Sequence, residues 1–383
     1  ASAGAMMSIC GAAMGQSFQG LGDLPGGTVS STAAAVSADG STVVGLSYVN
    51  AGIEAYRWRA AGGMASLGHL PALDINSYAT GVSGDGSVVT GASFSTPGQQ
   101  AFRWTQATGM VGIGDLPGGA FTSMGNGISA DGLVIVGLGN TGQIGTDAFR
   151  WTQAGMVALG DLAGGIYSAV ATGASSNGSV IVGSSISANG TEAFRWTQAG
   201  GMVGLGALPS GFPSEARAVS GDGNVVVGKG NANFGQGNEA FRWTQAGGMV
   251  GLGDLPGSAF VSDALATNFD GSVVVGVGFT ANGQEAFIWS QAQGMRNVKD
   301  VLLGLGVTSV NGWLLTHATG ISSDGLTVCG NGKNPLGQDE AWIAHLAVPP
   351  PCYANCDAST TAPVLNVNDF VCFQNRFAAG DPY

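Results

Sequence analysis

One phrase returns seven times along this chain at intervals of about 46 residues, and this period limits the possible folds more than any other feature. The clearest copy reads Glu239-Ala240-Phe241-Arg242-Trp243-Thr244-Gln245-Ala246-Gly247-Gly248-Met249-Val250-Gly251-Leu252-Gly253-Asp254-Leu255-Pro256. A unit of this length holds several short strands that cannot bury their apolar faces alone, so it must stack on copies of itself. The sequence therefore predicts a ring of like units.

A pair ending in glycine marks the same point in every unit. The seven pairs are Asp39-Gly40, Asp85-Gly86, Asp131-Gly132, Asn177-Gly178, Asp222-Gly223, Asp270-Gly271 and Asp324-Gly325. Each lies between two apolar runs, a pattern typical of a hairpin closed by a tight turn with both central residues at positive φ. We therefore expect a strand, a turn and a second strand in each of seven units.

Only alanine or glycine stands six and four residues before each turn. These residues are Ala33 and Ala35, Ala79 and Gly81, Gly125 and Gly127, Ala171 and Gly173, Ala216 and Ala218, Ala264 and Ala266, and Ala318 and Gly320. A period of two places each pair on one face of a strand. Side chains this small suit the innermost strand of a blade, where neighbouring sheets converge on an axis.

The residues after each turn predict three further strands. A continuously apolar run, as in residues 225–228, predicts a second strand with both faces buried. The Phe-Arg-Trp segment predicts the third strand, and residues 249–252 and their equivalents predict the fourth. Recurring tryptophans are expected to fill the wider outer gaps between blades; they are Trp58, Trp104, Trp151, Trp196, Trp243 and Trp289.

The phase of the repeat predicts how the ring closes. The seventh unit ends with its third strand at residues 341–344, so its fourth strand is missing, and the matching phrase lies at residues 17–24, before the first unit. Pairing of these two segments would remove two exposed sheet edges. The predicted fold class is all-β, a seven-bladed β-propeller of four-stranded blades closed by the N-terminal strand, with a small C-terminal helical EF-hand-like half-module.

Charged residues are sparse in this chain. They make up 9% of the sequence, the net charge is −12, and the 12 Lys plus Arg are spread singly. Because no basic stripe exists to neutralise phosphates, nucleic acid is not expected as a partner. With 383 residues and 44% apolar composition, the chain can bury a sizeable core. We interpret this composition as that of an extracellular or cell-surface protein.

Residues 1–16 precede the first predicted strand. The first fifteen are small, apolar and uncharged, and residues 13–15 resemble the small-x-small pattern of a secretory cleavage site, although the charged n-region is absent. Two interpretations stay open, a signal-peptide remnant and a disordered N-terminal extension. Elsewhere no stretch is long enough to span a bilayer, so no transmembrane segment is expected.

The repeated phrase resembles the extracellular HAF-repeat family over residues 17–346. The shared pattern is Ala-Phe-x-Trp, then Gly-Met-x-x-Leu-Gly-x-Leu-x-Gly-Gly, an Asp-Gly turn and a Val-Val-Gly strand. The histidine that names the family is replaced in every unit, by Glu54, Gln100, Asp147, Glu192, Glu239, Glu285 and Glu340. The resemblance implies a secreted bacterial repeat protein, and no role of that histidine carries over.

The chain changes in composition after the ring. Residues 347–352 form a proline-rich linker, and residues 353–383 carry oxygen-bearing side chains in the order that an EF-hand-like calcium loop needs. These predicted calcium ligands are Asn355, Asp357, Ser359, Asn366 and Asp369. The loop has about three extra residues and lacks its usual glycine, so a cystine-stapled helical hairpin without metal is the alternative. The segment resembles part of a dockerin-type anchoring module of planctomycete-like secreted proteins, which implies a cohesin-like scaffold partner.

No set of residues forms a recognisable catalytic site in the sequence. His69, His317 and His345 occupy unrelated repeat positions. The recurring carboxylates Asp23, Asp115, Asp161 and Asp254 are expected to accept hydrogen bonds from backbone groups at a strand end. One arginine per unit is expected to pair with adjacent acids, at Arg57, Arg103, Arg150, Arg195 and Arg242. Cys329 replaces Val or Thr in a buried strand and is expected to be a small core residue.

Four aromatic residues occupy related positions between the fourth strand of one unit and the next unit, and they are the candidate ligand-binding residues. They are Phe121, Tyr167, Phe212 and Phe260. We expect them at the same end of the ring as the variable loops 48–53, 138–146, 229–238 and 331–339. Aromatic rings there can stack on sugar faces, whereas packing between blades is the alternative.

Two functions remain open from the sequence. The first is a secreted, non-catalytic propeller that recognises or adheres to a polysaccharide or a surface protein and is anchored through its tail. The second is a glycan-active hydrolase or lyase with carboxylates from loops, which the fold alone permits. Clustered acids at the mouth of the axial channel would favour the enzyme, and an apolar or amide-lined mouth would favour binding.

Overall fold

The structure is a computed structural model that describes residues 15–142, 145–232, 237–257 and 260–346. Within these ranges, 28 strands form seven four-stranded antiparallel sheets. The sheets are the blades of a seven-bladed β-propeller, which confirms the predicted fold class for this part of the chain. The proline-rich linker, the predicted calcium ligands and the rest of the tail lie outside the described residues.

The strands follow the chain from the axis of the ring outward in each blade. The chain opens with β1 (Ser17–Gly20), which belongs to blade 7. Blade 1 consists of β2 (Ser31–Val36), β3 (Thr42–Val49), β4 (Gly52–Arg59) and β5 (Gly63–Ser66). Blade 2 consists of β6 (Ser77–Val82), β7 (Val88–Ser95), β8 (Gly98–Thr105) and β9 (Gly109–Gly112). Blade 3 consists of β10 (Met124–Ile128), β11 (Ile135–Gly139), β12 (Asp147–Thr152) and β13 (Gly155–Ala158).

The same order continues through the second half of the ring. Blade 4 consists of β14 (Gly164–Ala174), β15 (Val180–Ser187), β16 (Gly190–Thr197) and β17 (Gly201–Gly204). Blade 5 consists of β18 (Ser214–Val219), β19 (Val225–Asn231), β20 (Asn238–Thr244) and β21 (Gly248–Gly251). Blade 6 consists of β22 (Ser262–Thr267), β23 (Val273–Thr280), β24 (Gly283–Ser290) and β25 (Gly294–Asn297). Blade 7 contains β26 (Leu314–Ile321), β27 (Thr327–Lys333) and β28 (Asp339–His345).

The ring closes as the repeat phase predicts. Strand β1 pairs antiparallel with β28, with Ser17 opposite His345 and Gly20 opposite Trp342. The Phe18 side chain is 5% exposed and meets the Trp313 ring edge-on at 5.1 Å between centroids. A strand from one terminus therefore supplies the outermost strand of the last blade and covers the edge of β28.

A short helix interrupts the connection from blade 6 to blade 7, and the sequence analysis did not anticipate it. Helix α1 (Val298–Gly304) is followed by the 3₁₀ turn η1 (Thr308–Val310). The helix begins at Asn297, whose side chain accepts the Lys299 N–H at 2.8 Å, and it buries Val298 and Leu302. No helix in the described ranges is both long and apolar enough to cross a membrane.

The innermost strands confirm the need for small residues but correct their expected geometry. A β-bulge separates the two small positions in each blade, as between Ala33 and Ala35, so the predicted single face was wrong. Ala33 is 2% exposed, whereas Ala35 is half-buried. A Cβ on Gly127 would lie 2.9 Å from the carbonyl oxygen of Thr172 in the next blade. The inner strands of neighbouring blades thus approach too closely for larger side chains.

The Asp-Gly turns are also wider than predicted. In blade 1, Gly40 N–H donates to Ser37 O and Ser37 N–H donates to Thr42 O, which makes a four-residue hairpin loop instead of a two-residue turn. Gly40 takes a left-handed conformation, with φ at 73°. The buried Ser37 hydroxyl accepts the Thr42 N–H and donates to Asp39, and these bonds fix the loop.

The core lies between the blades, in apolar clusters that repeat around the ring. The second strands are buried on both faces, as at Val43 and Val44, which are fully buried. The predicted tryptophans lie beside them, with Trp58 6% and Trp104 7% exposed. Cys329 is fully buried as a free cysteine, as expected for a small core residue, and burial raises the pKa of its thiol to about 12.

Candidate functional site

The two ends of the ring are built from different connections. Because the strands of a blade alternate in direction, the Asp-Gly hairpins and the third-to-fourth turns lie at one end, which we call the Asp-Gly end. The second-to-third hairpins and the connections between blades lie at the other end, which we call the connection end. The described parts of the variable loops and the four candidate aromatic residues fall at the connection end, as expected.

Backbone hydrogen bonds close the Asp-Gly end around the axis. Each Asp-Gly hairpin bonds to that of the next blade; the seven bonds run from N–H to carbonyl between Asp39 and Gly84, Gly84 and Ala130, Asp131 and Ser176, Ser176 and Gly221, Asp222 and Phe269, Phe269 and Ser323, and Ser323 and Ala38. The 140 Å³ mouth inside this circle has apolar, hydroxyl and amide side chains, and no acid among the described residues that line it. The backbone groups that face the axis at this end are therefore used in hydrogen bonds between blades.

Polar side chains along the axis also join neighbouring blades. The hydroxyls of Thr80, Thr172 and Thr319 donate to the carbonyls of Gly125, Ala216 and Ala33 in the next blade, at 2.6 to 3.0 Å. Asn126 Nδ2 donates to Ala171 O in the same way at 2.9 Å. These groups lie on the innermost strands, but hydrogen bonds between blades occupy them.

A cluster of four charged residues interrupts this pattern between blades 5 and 6. Arg217 bridges Glu215 and Asp263, with Nη2 at 3.3 Å from Glu215 Oε2 and 3.1 Å from Asp263 Oδ2, and Lys229 Nζ lies 3.6 Å from Glu215 Oε2. Their side chains are between 17% and 32% exposed. Burial raises the pKa of Asp263 above its usual value, although Arg217 acts in the opposite direction. Each carboxylate near the axis here has a cationic partner.

Sequence analysis missed this cluster because its members are far apart in the chain. Arg217 and Asp263 are 46 residues apart, one full repeat, and they meet only across a blade boundary. A detectable signal did exist. At the positions of Glu215 and Asp263, counted back from the Asp-Gly pair, the other units place Thr32, Tyr78, Met124, Val170 and His317.

The four candidate aromatic residues are all half-buried; Phe121, Phe212 and Phe260 lie in connections between blades, whereas Tyr167 lies in the first strand of blade 4, β14. A Cβ on Gly98, in the β7–β8 hairpin, would meet the Phe121 carbonyl oxygen at 2.3 Å, so hairpin and connection are in close contact. Burial raises the pKa of Tyr167 to about 12, and the neighbouring carboxylates of Asp147 and Asp161 act in the same direction. The rings are neither fully packed nor freely exposed, and the structure does not bring the four together in one pocket.

Two of the four recurring carboxylates, Asp115 and Asp254, have the structural role that the sequence indicated, whereas Asp23 and Asp161 accept no hydrogen bond from the described residues. Asp115 accepts the N–H groups of Leu116 and Thr122, at 2.8 and 2.6 Å. Asp254 accepts those of Leu255 and Val261, both at 2.8 Å. Burial raises the pKa of both aspartates, because desolvation outweighs these hydrogen bonds.

The recurring arginines do not pair with acids, and that expectation was wrong. Within the described ranges, ion pairs involve Arg217, Lys229 and Lys333 but none of the five repeated arginines. Arg242 Nε donates instead to the Gly271 carbonyl of the next Asp-Gly turn, at 2.9 Å. The Arg57 guanidinium stacks 4.8 Å above the Trp104 ring. Arg242 and Arg57 therefore each bridge one blade to the next, the first through a turn carbonyl and the second through a tryptophan ring.

Histidines and acids do not gather into a metal centre in the described ranges. No group of three or more His, Cys, Asp or Glu side chains there is arranged to hold a metal ion. His69 Nδ1 lies 2.9 Å from Leu70 O, and His317 Nδ1 lies 3.0 Å from Thr316 Oγ1. Burial lowers the pKa values of His317 and His345, and for His345 the charge of Asp324 acts in the opposite direction.

Comparisons with known proteins find likeness in structure but none in sequence. No protein-family profile and no curated protein matches the chain, so HAF-repeat membership stays a prediction. TolB from Acinetobacter baumannii is 13% identical, with a TM-score of 0.46 over 66% of this chain, which spans 61% of that protein. A putative TolB from Agrobacterium tumefaciens is 13% identical, with a TM-score of 0.44 over 74% of this chain and 94% of its own. The β-propeller domain of the Trilobed protease from Pyrococcus furiosus is 9% identical, with a TM-score of 0.48 over 86% of this chain and 96% of its own.

Proposed function

We propose that this chain is a secreted, non-catalytic propeller that recognises or adheres to a polysaccharide or a surface protein. The observation that carries the proposal is the pairing of Glu215 and Asp263 with Arg217 and Lys229 near the axis. General acid and base catalysis needs carboxylates that are free to exchange protons with a substrate. These two are engaged by cations, while half-buried aromatic rings lie at the connection end, three of them in the connections and Tyr167 in β14.

Glycan-array binding of Phe121→Ala and Tyr167→Ala variants tests this proposal. Loss of a stacking ring should weaken binding about tenfold, since an aromatic contact contributes roughly 0.5 to 1.5 kcal/mol beyond its buried area. The matched control is Phe269→Ala, which removes a 47% exposed ring at the Asp-Gly end and should leave binding unchanged. Retained binding in both variants, with loss in the control, would move the ligand face to the opposite end and overturn the proposal.

The tail extends the proposal to anchoring. We expect Asn355, Asp357, Ser359, Asn366 and Asp369 to supply oxygen ligands for one calcium ion and the module to bind a cohesin-like scaffold. Calorimetric titration of the full chain with Ca²⁺ should show one site, and Asp357→Asn with Asp369→Asn should abolish it. Heat release that is the same for the double variant would contradict the calcium site and leave the cystine-stapled hairpin.

Glycan hydrolysis is the second candidate, because burial raises the pKa of Asp263, as a general acid requires. Asp263 would donate the proton and Glu215 would act as its partner carboxylate. Release of reducing ends from a polysaccharide panel, lost in Asp263→Asn but retained in Asp324→Asn at the opposite end, would establish an enzyme. If no sugar is released, the proposal of a binding protein stands.

A further inference from the structure

Blade 6 breaks a hydrogen bond that other blades share. In blades 4, 5 and 7, the glutamate before the Ala-Phe or Ala-Trp pair accepts the N–H of a glycine in the connection end. The bonds join Glu192 to Gly206 at 3.0 Å, Glu239 to Gly253 at 3.1 Å and Glu340 to Gly22 at 2.9 Å. In each of these blades the glutamate carboxylate therefore has a hydrogen-bond partner within the fold.

Helix α1 removes this partner from Glu285, the equivalent glutamate of blade 6. Aligned on Met249 and Met295, the position of Gly253 is taken by Lys299, whose N–H donates to the helix-capping side chain of Asn297. Among the described residues, the half-buried Glu285 carboxylate forms no hydrogen bond or ion pair. Glu285 is not among the buried side chains without a partner, so water can reach its carboxylate, and the carboxylate is open to a hydrogen-bond donor from a ligand.

Glu285 faces a groove of 780 Å³ that the helix creates at the connection end. Apolar side chains form its walls, among them Leu255, Met295, Val301 and Leu305. The charged groups lining it are Glu285, Asp300 on the helix and Arg296 on β25. Its described charged lining thus carries two carboxylates and one guanidinium, and the groove keeps an excess of negative charge.

Arg296 carries the positive charge among the described lining residues. It occupies the position at which blades 2 to 5 carry Val111, Val157, Val203 and Val250 on the outermost strand. Its Nε is buried without a hydrogen-bond partner, and no ion pair within 4.0 Å joins it to Glu285 or Asp300 in the described ranges. That Nε is inaccessible, and the register places Arg296 opposite Ile288, on the other face of the sheet from Glu285 and Met295, so a ligand in the groove needs a donor for Glu285 but no acceptor for Arg296.

We propose that this groove binds an extended peptide segment of a protein partner through one lysine side chain. The lysine ammonium would bond to Glu285 and Asp300, and its hydrocarbon stem would lie on Leu255 and Met295. This proposal rests on the recognition function above and narrows its ligand to a protein. A polysaccharide fits less well, because no aromatic ring is found among the described lining residues and an uncharged sugar leaves two carboxylates without a cation.

The test uses the full chain and a capped pentapeptide, Ala-Leu-Lys-Leu-Ala, against the same peptide with an acetylated lysine, in isothermal titration calorimetry. The free lysine peptide should bind, and acetylation, which removes the charge, should weaken it about tenfold. The Glu285→Gln variant should weaken binding of the lysine peptide by a similar factor of about ten. Its melting temperature should not fall, because the wild-type carboxylate has no internal partner.

Glu239→Gln is the matched control, since it changes the same position in blade 5. It should lower the melting temperature, because Glu239 accepts the Gly253 N–H, but leave peptide affinity unchanged. Equal binding of the two peptides, equal binding by Glu285→Gln, or no binding up to millimolar peptide would each overturn the inference. If the peptide does not bind but glycan binding depends on Phe121, the groove proposal is wrong and the proposed recognition function still stands.

Discussion

The two ends of the ring treat their aspartates in opposite ways. At the Asp-Gly end, hydrogen bonds from the Ser87 backbone and from the Ser83 and Ser87 hydroxyls lower the pKa of Asp85 to about 2. Hydrogen bonds from the Ser272 side chain and backbone likewise lower the pKa of Asp270. At the connection end, burial raises the pKa values of Asp115, Asp254 and Asp263 despite their hydrogen bonds.

This difference distinguishes the Asp-Gly end, whose hydrogen bonds stabilise the fold, from the connection end, whose side chains vary between blades. At the Asp-Gly end, carboxylates serve the same hairpin bonds in almost every blade, so changes there should act on stability. At the connection end, side chains differ between blades, and Glu285 forms no ion pair with the described residues. We therefore expect changes at the two ends to separate stability from ligand binding.

Removing the closing strand should have the largest effect, because it opens the ring and disturbs both ends at once. Deletion of residues 17–24 loses the β1–β28 pairing and the burial of Phe18, Leu21 and Leu24. Burial of three large side chains contributes about 6 kcal/mol, and the melting temperature should fall by about 10 °C or more. Phe18→Ala should show about half of this loss. An unchanged melting curve for the deletion would show that β1 does not hold the ring closed.

A single hydroxyl at the Asp-Gly end should come next in size. The fully buried Ser220 accepts the Val225 N–H at 2.9 Å and donates to Asp222 at 2.5 Å. Ser220→Ala leaves the buried N–H without a partner and should lower the free energy of unfolding by about 2 kcal/mol. Ser179→Ala is the control, because Ser179 is exposed, lies in the equivalent turn of blade 4 and bonds there through its N–H and not its hydroxyl; it should stay near wild type in urea denaturation. If the two variants lose equal stability, the hairpin bonds are not what stabilises this end.

Arg217 lies on β18, which ends one residue before Ser220, and is closer to the connection end; the loss of stability on removing Arg217 should be smaller. Arg217→Met keeps the apolar stem and removes the bridge between Glu215 and Asp263. The groups are partly exposed, so we expect a loss of about 1 kcal/mol, decreasing at high salt. The pKa of Asp263 should rise further, because Arg217 lowers it in the wild type. A carboxyl NMR titration in which that pKa stays constant would rule out the bridge in solution.

The pH dependence of stability should show the smallest effects, with opposite signs at the two ends. The lowered pKa of Asp85 gives stability that is present above its unfolded value of 3.8 and is lost as the pH falls toward about 2. The raised pKa of Asp115 gives stability that is present below 3.8 and is lost as the pH rises through its folded value. Carboxyl NMR should place the Asp85 midpoint below that of Asp115. The reverse order would contradict the distinction between the two ends.

The sequence alone determined the number of blades, the order of their strands and the closing of the ring by β1. Each of these follows from the 46-residue period and from the position of the repeat relative to the two termini. Both can be read directly from the sequence. The positions of the buried tryptophans and of Cys329 followed in the same way. The length of the Asp-Gly loop and the bulge beside Ala35 did not, since they depend on bonds that the Ser37 hydroxyl and the adjacent strand make.

Only the tertiary structure decided which repeated side chains have a hydrogen-bond partner within the fold. Glu239 and Glu285 occupy the same repeat position, but a glycine N–H satisfies the first and helix α1 withdraws the corresponding partner from the second. Arg217 and Asp263 lie a full repeat apart and meet only across a blade boundary. A one-dimensional pattern records what each unit shares, whereas hydrogen-bond satisfaction is a property of neighbours that are brought together by folding.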